Sequence, residues 1–191
     1  MKIYLLILFI VLQTTAYSQD KLVKDLDNDG IKDTVYFDTE RSVIICQLST
    51  QQFRKIESKP LENMGDASGV KDAKGGFYFN ENWMRAGYSN QFRYDVKTKK
   101  IQLIGMSRYE FGNAANDGSG ESSVNLLTGK YIGNWNYFDQ EKVKLIAIPE
   151  IKTKMDFGKI YLEGFSDATY FKFAEQCSDL YNKRKEEMIK K

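Results

Sequence analysis

The chain has 191 residues, a formal charge of +2 at pH 7 and no histidine. Its 28 basic and 26 acidic residues are interspersed, which argues against the concentrated Lys and Arg surfaces of nucleic-acid-binding proteins. Without histidine, Ser-His and Cys-His nucleophile pairs and the usual zinc sites are excluded. The composition favours a binding protein over an enzyme, and a glycosidase-like pair of carboxylates stays open as an alternative.

The first 18 residues have the organisation of a secretory signal peptide. Lys2 supplies the basic region, residues 3–12 form the apolar core, and Ala16 and Ser18 fit a small-x-small cleavage site. This apolar run is too short to cross a hydrocarbon layer of about 30 Å, and no longer run follows it. We therefore expect an exported protein, periplasmic or secreted, in which residues 19–191 form a single β-rich domain with no membrane span.

Residues 25–33 carry the most specific motif, Asp-Leu-Asp-Asn-Asp-Gly-Ile-Lys-Asp. Aspartates stand at positions 1, 3, 5 and 9 of a calcium loop of the EF-hand type, and Gly30 allows the sharp turn at position 6. The spacing predicts calcium as the cofactor, whereas the alternative is an Asp-rich surface turn. The expected metal ligands are Asp25, Asp27, Asp29, the backbone carbonyl of Ile31, and Asp33.

The loop differs from a complete EF-hand at position 12, where Tyr36 stands in place of the bidentate glutamate. Residues 34–38 are β-branched and aromatic, a composition typical of a strand and not of a helix. The ion is therefore expected to fix the entry of the chain into the first strand of a sheet.

The rest of the chain shows short β-type segments separated by turns. Turns are predicted at 39–41, 95–99 and 128–129, and a loop at 63–76. This pattern predicts a mainly β fold, an antiparallel meander arranged as propeller-like or sandwich sheets. The predicted strands are 34–38, 43–48, 77–79, 83–88, 91–94, 101–107, 123–127, 131–137, 142–148 and 158–162.

Residues 166–190 predict a C-terminal amphipathic helix. Its apolar residues recur at helical spacing, including Tyr170, Phe173 and Cys177, and Asp167 lies in the first turn where the helix dipole favours a negative charge. We expect the apolar stripe to pack against a sheet, with a partner-binding role as the alternative.

Cys46 and Cys177 are the two cysteines of the chain. An oxidising compartment permits a disulfide between them. Each also lies on an apolar face of its predicted element, so two buried free thiols explain the pattern equally well.

Two further segments are candidates for binding. Residues 113–123 are small and polar, and we expect Ser119, Gly120, Glu121 and Ser122 to contact a partner unless the loop is only a connection. Tyr131, Trp135 and Tyr137 share one face of a predicted strand. That face could stack on sugar rings or belong to the core.

The aspartate loop followed by a strand resembles calcium loops of FG-GAP, dockerin and thrombospondin-type repeats. Residues 92–95, 103–105 and 118–130 are similar to segments of exported bacterial β-propeller-like proteins, some of them periplasmic immunity proteins against peptidoglycan-cleaving effectors. This resemblance implies a lysozyme-inhibitor function, with residues 118–122 inserted as a finger into the cleft of the enzyme. The implied partner is a peptidoglycan hydrolase, and an envelope glycan is the alternative.

Overall fold

The computed structural model of the protein describes residues 21–62, 64–65 and 67–190. The predicted signal peptide, residues 1–18, lies outside them. Two antiparallel sheets and one C-terminal helix make up the fold, so the prediction of a mainly β protein is confirmed. None of the helices in the described ranges is both long enough and apolar enough to cross a membrane.

The first sheet has four strands in sequence order and carries the aspartate loop between its first two strands. Its central strands are buried on both faces, because Val35 and Phe37 join the main core while Tyr36 and Ile45 form a smaller cluster behind them. The strands are β1 (Lys21–Lys24), β2 (Asp33–Asp38), β3 (Val43–Gln47) and β4 (Lys55–Glu57).

The second sheet is a continuous antiparallel meander, in which strands consecutive in the chain from β5 to β11 are hydrogen-bonded neighbours. The last two strands both pair with the same edge of β10, and Pro149 lies in the gap between them, where it can donate no ladder hydrogen bond. The strands are β5 (Gly69–Ala73), β6 (Gly76–Asn82), β7 (Ala86–Asp95), β8 (Lys100–Glu110), β9 (Gly120–Asn125), β10 (Lys130–Asp139), β11 (Lys144–Ala147) and β12 (Ile151–Lys154).

Helix α1 (Asp167–Ile189) packs across one face of the large sheet through the predicted apolar stripe. The ring of Tyr170 stacks on Tyr88 of β7 at a centroid distance of 3.9 Å. Farther along, Tyr181 meets Trp135 of β10 edge-on at 6.3 Å. The prediction that the helix packs on a sheet is therefore confirmed.

The small sheet covers the same face of the large sheet as α1 does. Phe37 of β2 packs against Phe79 of β6 at 5.1 Å between ring centroids, and Phe79 shares its face of the sheet with the residues that contact the helix. The ammonium group of Lys24 joins the two sheets by an ion pair of 2.6 Å with Asp72. One face of the large sheet is thus covered, whereas no helix or strand among the described residues covers the opposite face, the open face.

The structure corrects several predicted elements. Residues 83–88 do not form one strand, because the N–H of Trp83 donates to the carbonyl of Ala86 and closes a turn between β6 and β7. Residues 158–162 contain only an isolated bridge from Tyr161 to Gln102, followed by a turn of 3₁₀ helix at Leu162–Gly164. The strands β1, β4, β5 and β12 were not predicted, because they are short and largely polar or exposed.

Candidate metal site and binding surface

The aspartate loop brings three of the predicted ligands together. One carboxylate oxygen from each of Asp25, Asp27 and Asp29 lies within 4.8 Å of the others. The loop itself holds them there, since Asp25 accepts hydrogen bonds from the N–H groups of Asn28 at 2.7 Å and Gly30 at 3.0 Å. Three converging carboxylates repel one another, and a hard cation relieves that repulsion by accepting oxygen ligands.

The turn that follows β3 supplies hydroxyl groups to this cluster. Ser49 donates to Asp29 at 2.6 Å, and this bond is the main reason that the pKa of Asp29 lies below its ordinary value. A second bond, from the N–H of Ile31 at 2.7 Å, lowers the pKa of Asp29 further. The carboxylate of Asp29 is thus kept ionised, as a metal ligand must be.

Asp27 is the most informative member of the group. Its side chain is nine-tenths buried, and one of its oxygens accepts a hydrogen bond from the hydroxyl of Thr50. The other oxygen, Oδ1, is buried and has no hydrogen-bond partner among the described residues. A buried carboxylate oxygen without a partner costs free energy, which a cation bound in the cluster would recover.

Asp33 and Ile31 hold different positions from these three. The Asp33 carboxylate is fully buried and accepts hydrogen bonds from the N–H groups of Leu26 at 2.7 Å and Ser49 at 2.8 Å. Asp33 therefore ties the loop to the turn after β3 and lies outside the group of three. The side chain of Ile31 is exposed, and ligation by its carbonyl stays a prediction.

The predicted partner loop does not form a protruding finger. Gly120, Glu121 and Ser122 lie in β9, paired with β8 on one side and β10 on the other, and Ser119 accepts an N–H from Asn136 at 2.8 Å. The hydroxyl of Ser122 is buried against the thiol of Cys177, 3.4 Å away. The segment forms part of the sheet because its small residues fit between two neighbouring strands. Of the four residues predicted to contact a partner, only Glu121 has an exposed side chain.

The aromatic strip predicted on β10 is part of the core. Tyr131, Trp135 and Tyr137 are each at least 96% buried beneath α1, and the indole N–H of Trp135 donates to the Tyr131 hydroxyl at 3.3 Å. The core interpretation is thereby confirmed, and a sugar-stacking role for this strip is wrong. Aromatic rings bury large apolar areas, so the helix stripe covers them.

Of the two alternatives for the cysteines, the structure has two buried free thiols and no disulfide between Cys46 and Cys177. Cys46 pairs in register with Val35 and Ile56 in the small sheet, whereas Cys177 lies on α1 against the large sheet. Burial raises the pKa of both thiols, so neither is poised as a thiolate nucleophile.

The open face of the large sheet carries a polar cavity of about 610 Å³ that no sequence motif predicted. Most of the lining side chains are alternate residues of neighbouring strands. The only sequence feature that could have indicated the cavity is therefore the polar residue at every second position of these strands, and not a continuous motif. The lining includes Asn80, Ser89, Ser107, Tyr109, Glu121 and Asn134.

Comparison of the chain with protein-family models, with curated proteins and with solved structures finds no match. Two features of the structure bear on function, the aspartate loop and the cavity on the open face. The aspartate loop is chemically suited to hold a cation, and the cavity on the open face is suited to hold a ligand.

Proposed function

We propose that the protein is an exported binding protein whose β1–β2 loop is held in place by calcium, and that it performs no reaction of its own. The observation that carries the calcium part is Asp27 Oδ1, a buried carboxylate oxygen without a partner in the described structure beside two further carboxylates. Three carboxylates supply the hard oxygen ligands that calcium prefers.

The residues around the loop suggest what the ion does. Calcium, when bound, neutralises the mutual repulsion of Asp25, Asp27 and Asp29. Ser49 and Thr50 bond two of these carboxylates from the turn after β3. The ion would therefore stabilise the junction between the β1–β2 loop and β3, and its role is structural.

Thermal unfolding with and without calcium tests this part of the proposal. The melting temperature should be lowest in chelator and should rise with calcium concentration, because a ligand at 100 times its Kd stabilises the folded state by about 2.7 kcal/mol. Asp27→Asn should abolish the rise, whereas Asp179→Asn, an exposed carboxylate on α1, should retain it. Identical melting curves in chelator and in calcium would refute the site.

The binding part is proposed for the open face, where Glu121 of the predicted partner segment is exposed. In its sharpest form the proposal is inhibition of a peptidoglycan hydrolase, and an envelope glycan is the other candidate. A clearing assay on peptidoglycan with several lysozymes checks the sharp form, with Glu121→Arg as the surface variant. Inhibition by the wild-type protein that Glu121→Arg weakens would support it, and full lysozyme activity in the presence of excess protein would refute inhibition.

A further inference from the structure

The cavity on the open face is floored by small side chains. Ser89, Ser107 and Ser123 are register neighbours on β7, β8 and β9, so their side chains form one row across the sheet. Asn80 of β6 extends the row, since it pairs with Ser89. Because these side chains are short, the row forms the bottom of a groove that crosses the strands.

Tyr109 forms one side of this groove, and neighbouring residues fix the position of its ring. Gly87 is its register partner, and a Cβ at Gly87 would lie 2.7 Å from the ring carbon Cε1 of Tyr109. The ring therefore lies over the backbone of β7 in space that only glycine leaves free. The Tyr109 hydroxyl also donates to Asn82 Oδ1 at 3.1 Å, which holds the ring from its far end.

Tyr78 stands on the other side of the groove, on the same face of the sheet. It pairs with Gln91, which lies two residues beyond Ser89 on β7. From strand geometry, Tyr78 and Tyr109 are separated by about 13 Å along the strands and about 10 Å across them. A ligand that contacts both rings must therefore be longer than a single small ring.

Hydrogen-bonding groups along the groove are available to a ligand. Ser107 lies in the row between the two rings, and β9 and β10 carry further polar groups beyond Tyr109. Among the described residues, the side chains of Ser107, Ser123 and Asn134 have no protein partner. Glu121 adds one carboxylate, and it lies between Tyr109 and Asn134 in the register. The set offers hydroxyl, carboxamide and carboxylate groups. Of the two basic residues that line the cavity, Arg108 directs its guanidinium group to the carbonyl of Ala174 on the covered face, and Lys71 lies at the edge of the groove.

We propose that this groove binds a neutral oligosaccharide, with Tyr78 and Tyr109 stacking on sugar rings and Asn134, Ser107 and Glu121 bonding the hydroxyls. The proposal names a ligand class for the binding role proposed above and rests on that role, but it does not depend on calcium. Sugars combine apolar ring faces with dense hydroxyl groups, which is the chemistry that these side chains complement.

Charge and backbone geometry disfavour other occupants. A phosphate-bearing ligand would meet the carboxylate of Glu121 beside Tyr109, and Lys71 lies at the opposite edge, beside Tyr78. A peptide cannot add to the sheet here as a further strand, because the groove crosses β7, β8 and β9, each of which is paired on both sides. The experiment below also distinguishes sugar binding from the docking of a protein partner on this face.

Titration of the full mature chain with soluble tetrasaccharides tests the proposal, using chitotetraose, cellotetraose, maltotetraose and xylotetraose as probes. Calorimetry should detect at least one of them with a Kd of about 1 mM or tighter. Tyr109→Ala and Asn134→Ala should each weaken that binding by at least about tenfold. Phe171→Ala, an exposed aromatic on α1 at the covered side, is the matched control and should bind as the wild type does.

Circular dichroism of each variant shows whether it is folded, and Tyr78→Ala replaces Tyr109→Ala should the latter fail to fold. Binding that Asn134→Ala and a folded tyrosine variant leave unchanged would overturn the proposal. So would the lack of binding to all four probes. Capture of a hydrolase by the same face without any sugar binding would also overturn it, while leaving the proposed binding function intact.

Discussion

The two faces of the large sheet are built from the same strands and have opposite characters. On the covered face, residues such as Phe79, Trp135 and Tyr131 are buried beneath α1 and the small sheet. On the open face, the alternate residues of those strands are mostly polar, with several serines and asparagines and the partly exposed Tyr78 and Tyr109. Because side chains alternate along a strand, one stretch of sequence can stabilise the fold with one half of its residues and bind a ligand with the other half.

The covered face is not uniformly apolar, and its exceptions are costly. Glu81 is fully buried, its carboxylate accepts a hydrogen bond from the hydroxyl of Tyr88, and its Oε1 has no partner within hydrogen-bond distance among the described residues. Asn90 is also fully buried, and its amide has no partner among the described residues. The open face carries its polar groups in contact with solvent, where they need no protein partner.

The largest expected effect comes from truncating the covered face. Phe173 is fully buried between α1 and the sheet, so Phe173→Ala should lower the free energy of unfolding by about 3–5 kcal/mol. Phe171→Ala, two residues away and half exposed, should change it by no more than about 0.5 kcal/mol. Urea denaturation measures both, and equal losses would contradict the assignment of the covered face.

Glu81→Gln removes an ionisable group from the covered face. Burial raises the pKa of Glu81 above its ordinary value, so the folded state holds this proton more tightly than the unfolded state does. The stability that protonated Glu81 contributes is complete below about pH 4.5 and is lost as the pH rises through the folded pKa. The variant should therefore melt a few degrees higher than the wild type at pH 7.

The pH dependence of the melting temperature tests this prediction for Glu81. Melting temperatures measured between pH 4 and pH 8 should show the two proteins converging at the acidic end. A difference in melting temperature that stays constant with pH, or a variant less stable than the wild type at pH 7, would contradict the prediction. Either result would mean that neighbouring groups stabilise the ionised carboxylate of Glu81. Glu163→Gln, an exposed acidic residue outside the core, is the control and should show no gap of this kind.

Lys185 anchors the end of α1 to the loop before β9. Its ammonium group bonds both oxygens of Asp117, at 3.0 and 3.1 Å. Both side chains are about one-quarter exposed, so Lys185→Met should cost only about 0.5–1 kcal/mol. Repeating the measurement in high salt should shrink the difference, and an effect that salt leaves unchanged would point to packing instead.

A small effect on stability is expected on the open face. Tyr78→Ala should alter the free energy of unfolding by less than about 1 kcal/mol, because the side chain is partly exposed and lies outside the core. Chemical denaturation checks this beside the Phe173 variant. A loss comparable to that of Phe173→Ala would show that the open face is structural and would remove its distinction from the covered face.

The sequence predicts those features that depend on residues close together in the chain. The strand pattern of residues 34–38, the helix stripe around Phe173 and the convergence of Asp25, Asp27 and Asp29 all follow from fixed local spacings. Short polar strands such as β5 carry no such spacing, and their pairing is decided by the neighbouring strand.

The error at β9 and the open alternative at β10 have one physical cause. Gly120–Ser122 has the composition of a loop but pairs on both sides, and the sequence alone does not distinguish the core from a sugar-stacking face for Trp135, which α1 covers. Neither outcome is visible until the long-range order of the strands is known. For the same reason the groove could not be predicted, since its side chains come from different strands.

Calorimetric titration of calcium into the protein decides whether the aspartate loop is a metal site. We expect saturable binding of one ion per chain, lost in Asp27→Asn and retained in Asp179→Asn. Absence of binding at millimolar calcium, or equal binding by the wild type and Asp27→Asn, would contradict it.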